Sequence, residues 1–288
     1  MKLLVVGAGE MGRWLARTLR PAVDRVAFAD TNPQTAMDAA EAVVDGRVVP
    51  ADTDESFDCV ALAVPMPAVA DAVERYAPNA ADGAMVDVSG VMAEPLAAME
   101  EHVDGEYASF HPLFAPPRAP GRVAYVPGVA GSFVDGVRDG LTAAGNDVFE
   151  TTAAEHDEAM ETVQTAAHTA VLSYALAADD VDDRFQTPVS SGLTDLAATM
   201  AEGHPATYAD IREAFGGADD VADAAQVLAD ADRDTFEELF AEVRDRVDAA
   251  SRFDGDGGGD GDRDADDGES GSAGGTGTDG GGDAGAGR

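Results

Sequence analysis

Three glycines and an aspartate near the start of the chain have the types and spacing of a dinucleotide-binding loop. An apolar run at residues 3–6 leads into Gly7, Gly9 and Gly12, and a second apolar run ends in Asp30. The first glycine permits a tight turn, the second lets the backbone approach a pyrophosphate, and the third lets the next helix pack closely on the strand. We expect the Asp30 carboxylate to accept hydrogen bonds from both ribose hydroxyls and to repel a 2′-phosphate. The pattern therefore predicts NAD rather than NADP.

The remaining candidate contacts to this cofactor come from the helix start and from a neighbouring strand. Glu10 and Met11 open the helix, whose free N–H groups and positive dipole end favour a pyrophosphate. The apolar run at residues 59–64 predicts a buried strand that ends at Val64 and Pro65. Because ligands bind beyond the carboxyl ends of parallel strands, we expect both residues to line the cofactor site.

A histidine and a serine follow two further predicted strands at the same edge of the sheet. The strand at 107–110 runs into His111, which a proline follows, and the strand at 83–88 ends at Ser89. An imidazole with its ordinary pKa of about 6.5 can take a proton from a hydroxyl as hydride leaves the same carbon. The alternative is a histidine that only satisfies backbone groups at a strand end. The position predicts a general base at His111.

The elements that must place these residues alternate between strand and helix as far as residue 152. This order predicts an α/β fold with a Rossmann-type, doubly wound parallel sheet in a domain at 1–152. A helical domain for substrate binding and dimerisation is predicted at 153–250, beginning with one uninterrupted helix at 155–178. The segment at 251–288 is rich in Gly and Asp, so we expect a disordered, solubilising tail. A regulatory or interaction tail is the alternative.

The charge of the chain limits its partners. It has 56 acidic and 18 basic residues, a formal net charge of -38, and Lys2 as its only lysine. This composition resembles proteins of organisms with molar salt in the cytoplasm, where the screening length falls to about 3 Å. An acidic protein for basic partners is the alternative. We expect no nucleic-acid partner, because phosphate binding needs clustered Lys and Arg. We also predict no metal site, no membrane segment and a cytoplasmic protein.

Several segments together resemble one known family. The segment at 111–116 resembles the His-Pro-Met-Phe-Gly-Pro motif of the TyrA family, the prephenate and arogenate dehydrogenases of tyrosine synthesis. Similar segments lie at 87–91, at 155–157 with Gln164 and His168 after them, and at 208–211. With its composition, the chain resembles a halophilic archaeal member of this family.

The resemblance implies an NAD-dependent oxidative decarboxylation of prephenate to 4-hydroxyphenylpyruvate. It implies that His111 accepts the ring hydroxyl proton and that Ser89 orients His111 and touches the nicotinamide region. It also implies that His168 and Gln164 line the substrate pocket and that the helical domain builds a homodimer. For His156, the residues themselves favour a local contact at a helix start, beside Asp157.

One position departs from the family and leaves alternatives open. The family has a substrate-binding arginine where this chain has Thr199. Arg118, in the loop after His111, is the candidate replacement and Arg184 is the next, although both could be surface residues. Arogenate dehydrogenase is therefore an alternative function. Another Rossmann-type reductase, such as pyrroline-5-carboxylate reductase or a 3-hydroxyacid dehydrogenase, and a non-catalytic NAD-sensing module are the others. A catalytic lysine of the hydroxyacid type is absent from the predicted helical domain.

Overall fold

The computed structural model describes residues 1–80 and 83–253. In this part of the chain, eight strands form one sheet in the order β3-β2-β1-β4-β5-β6-β7-β8. All neighbouring strands are parallel except β6 and β7, which are antiparallel. The fold class predicted from the sequence is confirmed. The strands are β1 (Lys2–Val6), β2 (Arg25–Ala29), β3 (Gly46–Val48), β4 (Cys59–Leu62), β5 (Ala84–Asp87), β6 (Glu106–Pro112), β7 (Arg122–Val129) and β8 (Asp147–Glu150).

Helices cover both faces of this sheet because its central strands are apolar on both sides. Four of the five residues of β1 and all four of β4 are buried, as expected for parallel strands between two helical layers. Three helices bury apolar residues on one face, and two others do so on the opposite face. The first group is α1 (Glu10–Leu19), α2 (Pro33–Glu41) and α5 (Ser132–Ala143); the second is α3 (Val69–Tyr76) and α4 (Ala93–His102).

The chain after β8 is helical, as predicted, but its first helix is interrupted. A π-helical turn at Glu161–Ala166 separates α6 (Ala153–Met160) from α7 (Ala167–Ala177), so the prediction of one uninterrupted helix was wrong. The spacing of apolar residues is helical on each side of such a turn, and for this reason the sequence pattern did not reveal it. The remaining helices are α8 (Pro188–Ala201), α9 (Pro205–Ala214), α10 (Ala218–Asp230) and α11 (Arg233–Phe253).

The helical region is joined to the sheet through the second layer of the core. Met160 of α6, Ile211 of α9 and Phe215 are buried in the same apolar cluster as α3 and β4. Burial of each such side chain contributes about 1.5–3 kcal/mol to folding, which fixes this part of the helical region against the sheet.

Contacts divide the chain into two compact units, one from Met1 to Ala229 and one from Asp230 onward. The first unit holds the whole sheet and α6 to α9, so the contacts show no break at the predicted boundary after residue 152. The predicted tail at 251–288 lies almost wholly outside the described residues. Among the described helices, none has both the length and the apolar character needed to cross a membrane.

Candidate active site

The glycine turn between β1 and α1 has the geometry that the sequence predicted. Gly7 has a φ of 88°, a left-handed conformation that favours glycine, and a β-carbon there would clash with the carbonyl oxygen of Ala63. A β-carbon on Gly12 would clash with the carbonyl of Gly7, which shows how closely α1 approaches the turn. A β-carbon on Gly9 would have no described atom within 4 Å. The backbone is therefore open to a ligand at Gly9 and closed by packing at the other two glycines.

Asp30 closes the other side of this turn. Its Oδ2 accepts a hydrogen bond from the backbone N–H of Ala8 at 2.8 Å, and its Oδ1 accepts one from Asn32 at 2.8 Å. The helix α1 begins at Glu10 with Gly9 as its N-cap, where no side chain caps the helix. Backbone N–H groups and the positive end of the helix dipole thus point at the open space beside Gly9. These features fit a dinucleotide, with its pyrophosphate at the helix start and its ribose beside Asp30.

The edge of the sheet connects this turn to His111. Val64 follows β4 beside Gly7, and Pro65 is exposed and precedes the turn that contains Met66. A β-carbon on Gly90, which has a φ of 106°, would lie 2.8 Å from Met66 Cε and 3.2 Å from His111 Nε2. From β1 to β6 there are three strand spacings of about 4.8 Å, so the two sites are about 14 Å apart along this edge. A dinucleotide can span this distance.

His111 lies at the start of a chain of hydrogen bonds to a carboxylate. It is 7% exposed, in the part of β6 that extends past the end of β5. Its Nδ1 lies 2.8 Å from Nε2 of His156, which is 3% exposed. Nδ1 of His156 lies 2.8 Å from Oδ1 of Asp157. The carboxylate accepts two further hydrogen bonds from the backbone N–H groups of Met92 at 3.2 Å and Ala93 at 3.1 Å, at the start of α4.

Burial sets the charge states along this chain. Burial and, to a lesser extent, the nearby His156 lower the pKa of His111 to about 3, although Asp157 opposes both effects. Burial raises the pKa of Asp157, but hydrogen bonds from His156 and from the start of α4 outweigh it and leave this pKa below its ordinary value. A neutral imidazole at His111 and an ionised carboxylate at Asp157 result. An imidazole that is neutral and buried can accept a proton from a ligand.

Gln164 and His168 bring polar atoms to the same region. Gln164 Nε2 lies 3.4 Å from His111 Nε2. In the described part of the chain, Gln164 Oε1 and His168 Nδ1 are buried without a hydrogen-bond partner. The His168 ring packs edge-on against Tyr208, with 5.0 Å between the ring centroids. Because unpaired buried polar atoms cost free energy, these two atoms are suited to bind a ligand that pairs with them.

The side chain of Ser89 is hydrogen-bonded to Asp87, whereas we expected it to orient His111. Its Oγ donates to Oδ2 of Asp87 at 3.2 Å, and its backbone N–H donates to Oδ1 of the same carboxyl group at 3.0 Å. These two hydrogen bonds form a local turn that fixes Ser89 on Asp87. The side chain that is hydrogen-bonded to His111 Nδ1 is that of His156. The expected role of Ser89 in orienting His111 therefore stays a prediction, without a hydrogen bond between the two side chains among the described residues. Contact of Ser89 with the nicotinamide stays a prediction.

The two candidate arginines differ in their surroundings. Arg118 is exposed in a short helical turn at Pro116–Arg118, and among the described residues its guanidinium forms no hydrogen bond or ion pair. Arg184 lies 3.7 Å from the carboxylate of Asp182 and stacks on Phe185. Thr199 is exposed on α8. Of these two arginines, Arg118 is the one whose guanidinium is available to an anionic ligand.

Sequence reasoning missed His156 as a neighbour of the base and treated it as a local contact. The buried pair with His111 could not be inferred from spacing, because the two residues are 45 positions apart on different elements. Gly90 was also missed. Its signal was its position directly after Ser89 at a strand end, where only a residue without a side chain leaves room for the imidazole.

Residues 15–125 match the sequence model of a family described as the nucleotide-binding domain of prephenate dehydrogenase. The structure is similar to prephenate dehydrogenase from A. aeolicus in complex with hydroxyphenyl propionate and NAD+. The TM-score is 0.64 and the identity 17%, over 86% of this chain and 98% of that chain. It is also similar to Synechocystis arogenate dehydrogenase, with a TM-score of 0.59 and 17% identity over 88% of this chain and 100% of that chain. At these identities the likeness establishes the fold. No curated protein sequence matches the chain.

Proposed function

We propose that this chain catalyses the NAD-dependent oxidative decarboxylation of prephenate, and the match of residues 15–125 to the nucleotide-binding domain of prephenate dehydrogenase supports this proposal. The observation that carries this proposal is the position of His111. It is a buried, neutral imidazole at the same sheet edge as a glycine turn suited to a dinucleotide. Bound NAD supplies the acceptor for the hydride that leaves C4 of the substrate.

His111 acts as the base in this proposal. Its Nε2 accepts the proton of the C4 hydroxyl as hydride leaves the same carbon. Loss of carbon dioxide from C1 then makes the ring aromatic, and the phenolate oxygen takes the proton back from Nε2. The overall reaction releases no proton, so the base must store one proton and return it. Gln164 Nε2, 3.4 Å from His111 Nε2, lies where it can donate to the same oxygen.

The substrate carries negative charge, and the chain has little positive charge to bind it. We propose that Arg118 pairs with a substrate carboxylate and that Gln164 Oε1 and His168 Nδ1 bind other polar groups of the substrate. Ser89 touches the nicotinamide region in this proposal. Gly7, Gly9, Gly12 and Asp30 bind the dinucleotide, together with Glu10, Met11, Val64 and Pro65.

The protein is proposed to act as a homodimer through its helical region. Neither α7 nor α8 has a buried residue, although both are rich in apolar side chains and pack against each other. Leu176 is 88% exposed and Val189 is 73% exposed. A patch of this kind on a highly charged chain is suited to a second copy of the same patch.

NADH formation in concentrated potassium chloride tests the function. Prephenate or arogenate is supplied with NAD or NADP, and His111→Ala is the control. We expect turnover with prephenate and NAD, and a loss of at least about 10²-fold in kcat for the variant, as for removal of a general base.

Arg118→Ala is expected to raise KM for the substrate and leave NAD affinity unchanged. Turnover with arogenate alone would show that arogenate, and not prephenate, is the substrate. Tight NAD binding without turnover of either compound would refute the proposal that the chain is an enzyme of this kind.

A further inference from the structure

The hydrogen bonds that end at Asp157 decide which nitrogen of His111 carries a proton. The Asp157 carboxylate is ionised and already accepts from Met92 and Ala93, so its contact with His156 Nδ1 requires a proton on that nitrogen. The other nitrogen of His156, Nε2, then has a lone pair and accepts from His111 Nδ1 at 2.8 Å. His111 Nε2 is consequently left unprotonated and faces Gly90 and Gln164.

We propose that His156 and Asp157 are positioning residues that hold His111 in the tautomer with its proton on Nδ1. This inference rests on the proposed function, since it concerns the base of that reaction. The opposite tautomer would present an N–H to the substrate hydroxyl and could not accept its proton. The pair thus selects the active form of the base, and neither residue touches the substrate.

The same pair stabilises the positive charge that arises when His111 takes the proton. The proton of the hydroxyl arrives at Nε2, and the proton on Nδ1 is already shared with His156 across 2.8 Å. Transfer of that second proton to His156 Nε2 places the positive charge beside the Asp157 carboxylate, and its return restores both rings. No proton is gained or lost in this exchange.

Asp157 also links the base to the fold. Its side chain is 26% exposed, whereas the His156 side chain is 1% exposed. The start of α4 supplies the two N–H groups that fix its oxygens. The positioning pair therefore depends on contact between α6 and the N-terminus of α4, in addition to the strand that carries His111.

Nitrogen NMR of the full chain, labelled with ¹⁵N in its five histidines, tests the tautomer without any substrate. In the unmodified protein we expect a protonated Nδ1 and an unprotonated Nε2 on His111. In Asp157→Asn, the amide can offer a donor to His156, so we expect the tautomers of both histidines to change. We also expect kcat to fall by about 10²–10⁴-fold, as in a triad that loses its carboxylate, with little change in NAD affinity.

Three variants separate positioning from a loss of stability. Asp232→Asn makes the same substitution at the start of α11, where Asp232 Oδ1 accepts from Thr235 N–H at 2.9 Å, and should leave kcat unchanged. His156→Gln keeps an acceptor for His111 Nδ1 and should retain the tautomer and most of kcat, whereas His156→Leu should lose both.

Two results would overturn the inference. One is a protonated Nε2 on His111 in the unmodified protein, and the other is an unchanged tautomer and kcat in both Asp157→Asn and His156→Leu. If neither prephenate nor arogenate reacts, the proposed function fails, and the NMR result still decides the tautomer.

Discussion

Asp87 is a fully buried carboxyl group at the end of β5, close to the site but outside the proton path. It accepts hydrogen bonds from Ser109 Oγ at 3.0 Å, from Ser89 Oγ at 3.2 Å and from the Ser89 backbone. Burial raises the pKa of Asp87 to about 7, although the hydrogen bonds from Ser109 and Ser89 oppose this shift. The carboxyl group thus positions the loop that contains Ser89 and Gly90, and its ionisation state affects the stability of the fold.

We expect the raised pKa of Asp87 to make the protein less stable as pH rises from about 4 to about 7. The folded state binds a proton on this group in that range and the unfolded state does not. Above about 7 the effect is complete. One proton limits the slope to about 1.4 kcal/mol per pH unit. The measurement is the difference in unfolding free energy between the unmodified chain and Asp87→Asn, by denaturant titration at constant salt. The same dependence of unfolding free energy on pH in both proteins would contradict the prediction.

The turn between β1 and α1 separates two roles of glycine within one element. Gly12→Ala should destabilise the protein by about 1–3 kcal/mol, because its β-carbon meets the carbonyl of Gly7 and forces α1 away. Gly9→Ala should change stability by less than about 0.5 kcal/mol, because no described atom lies within 4 Å of the added carbon. We expect it to weaken NAD binding at least about tenfold, since the carbon occupies the space proposed for the pyrophosphate.

Thermal unfolding and calorimetric titration with NAD check both halves of this prediction. Gly136→Ala, also at a position with no described atom near the added carbon but in the middle of α5, is the control and should leave NAD binding unchanged. Equal NAD affinity in Gly9→Ala and the unmodified protein would place the pyrophosphate elsewhere.

The strands, and the helices between them, were predicted well from the sequence because the patterns that indicate them are local. The apolar run of β1, the glycine turn and the apolar run of β4 each lie within a few residues. The hydrogen bond between His111 and His156 depends on the packing of α6 against β6, which no local pattern encodes. For the same reason the sequence indicated Ser89, at the end of the neighbouring strand, as the residue that orients His111. In the structure, the hydroxyl of Ser89 is hydrogen-bonded to Asp87.

For the whole molecule, the net charge of -38 and the apolar helices α7 and α8 have opposite effects on association. Like charges repel two copies, and molar salt reduces the range of this repulsion to about 3 Å. Burial of each leucine side chain at an interface contributes up to about 1.5–3 kcal/mol. Concentrated salt should therefore favour the dimer.

We expect the full chain to sediment as a dimer in molar potassium chloride and to dissociate as salt is lowered. Leu176→Asp, at a residue 88% exposed in α7, should yield a monomer. Val44→Asp, at a residue 73% exposed after α2, is the matched control and should remain dimeric. Sedimentation equilibrium distinguishes these results, and a monomer at all salt concentrations would contradict the proposed homodimer.

The π-helical turn at Glu161–Ala166 gives the chain a place where one residue can be lost without turning α7. Hydrogen bonds in such a turn span five residues instead of the four of an α-helix, so deletion of one residue within it would restore α-helical geometry. His168 would then keep its face toward Tyr208. A shorter chain with the same pocket wall is therefore the expected result of a one-residue deletion at this turn.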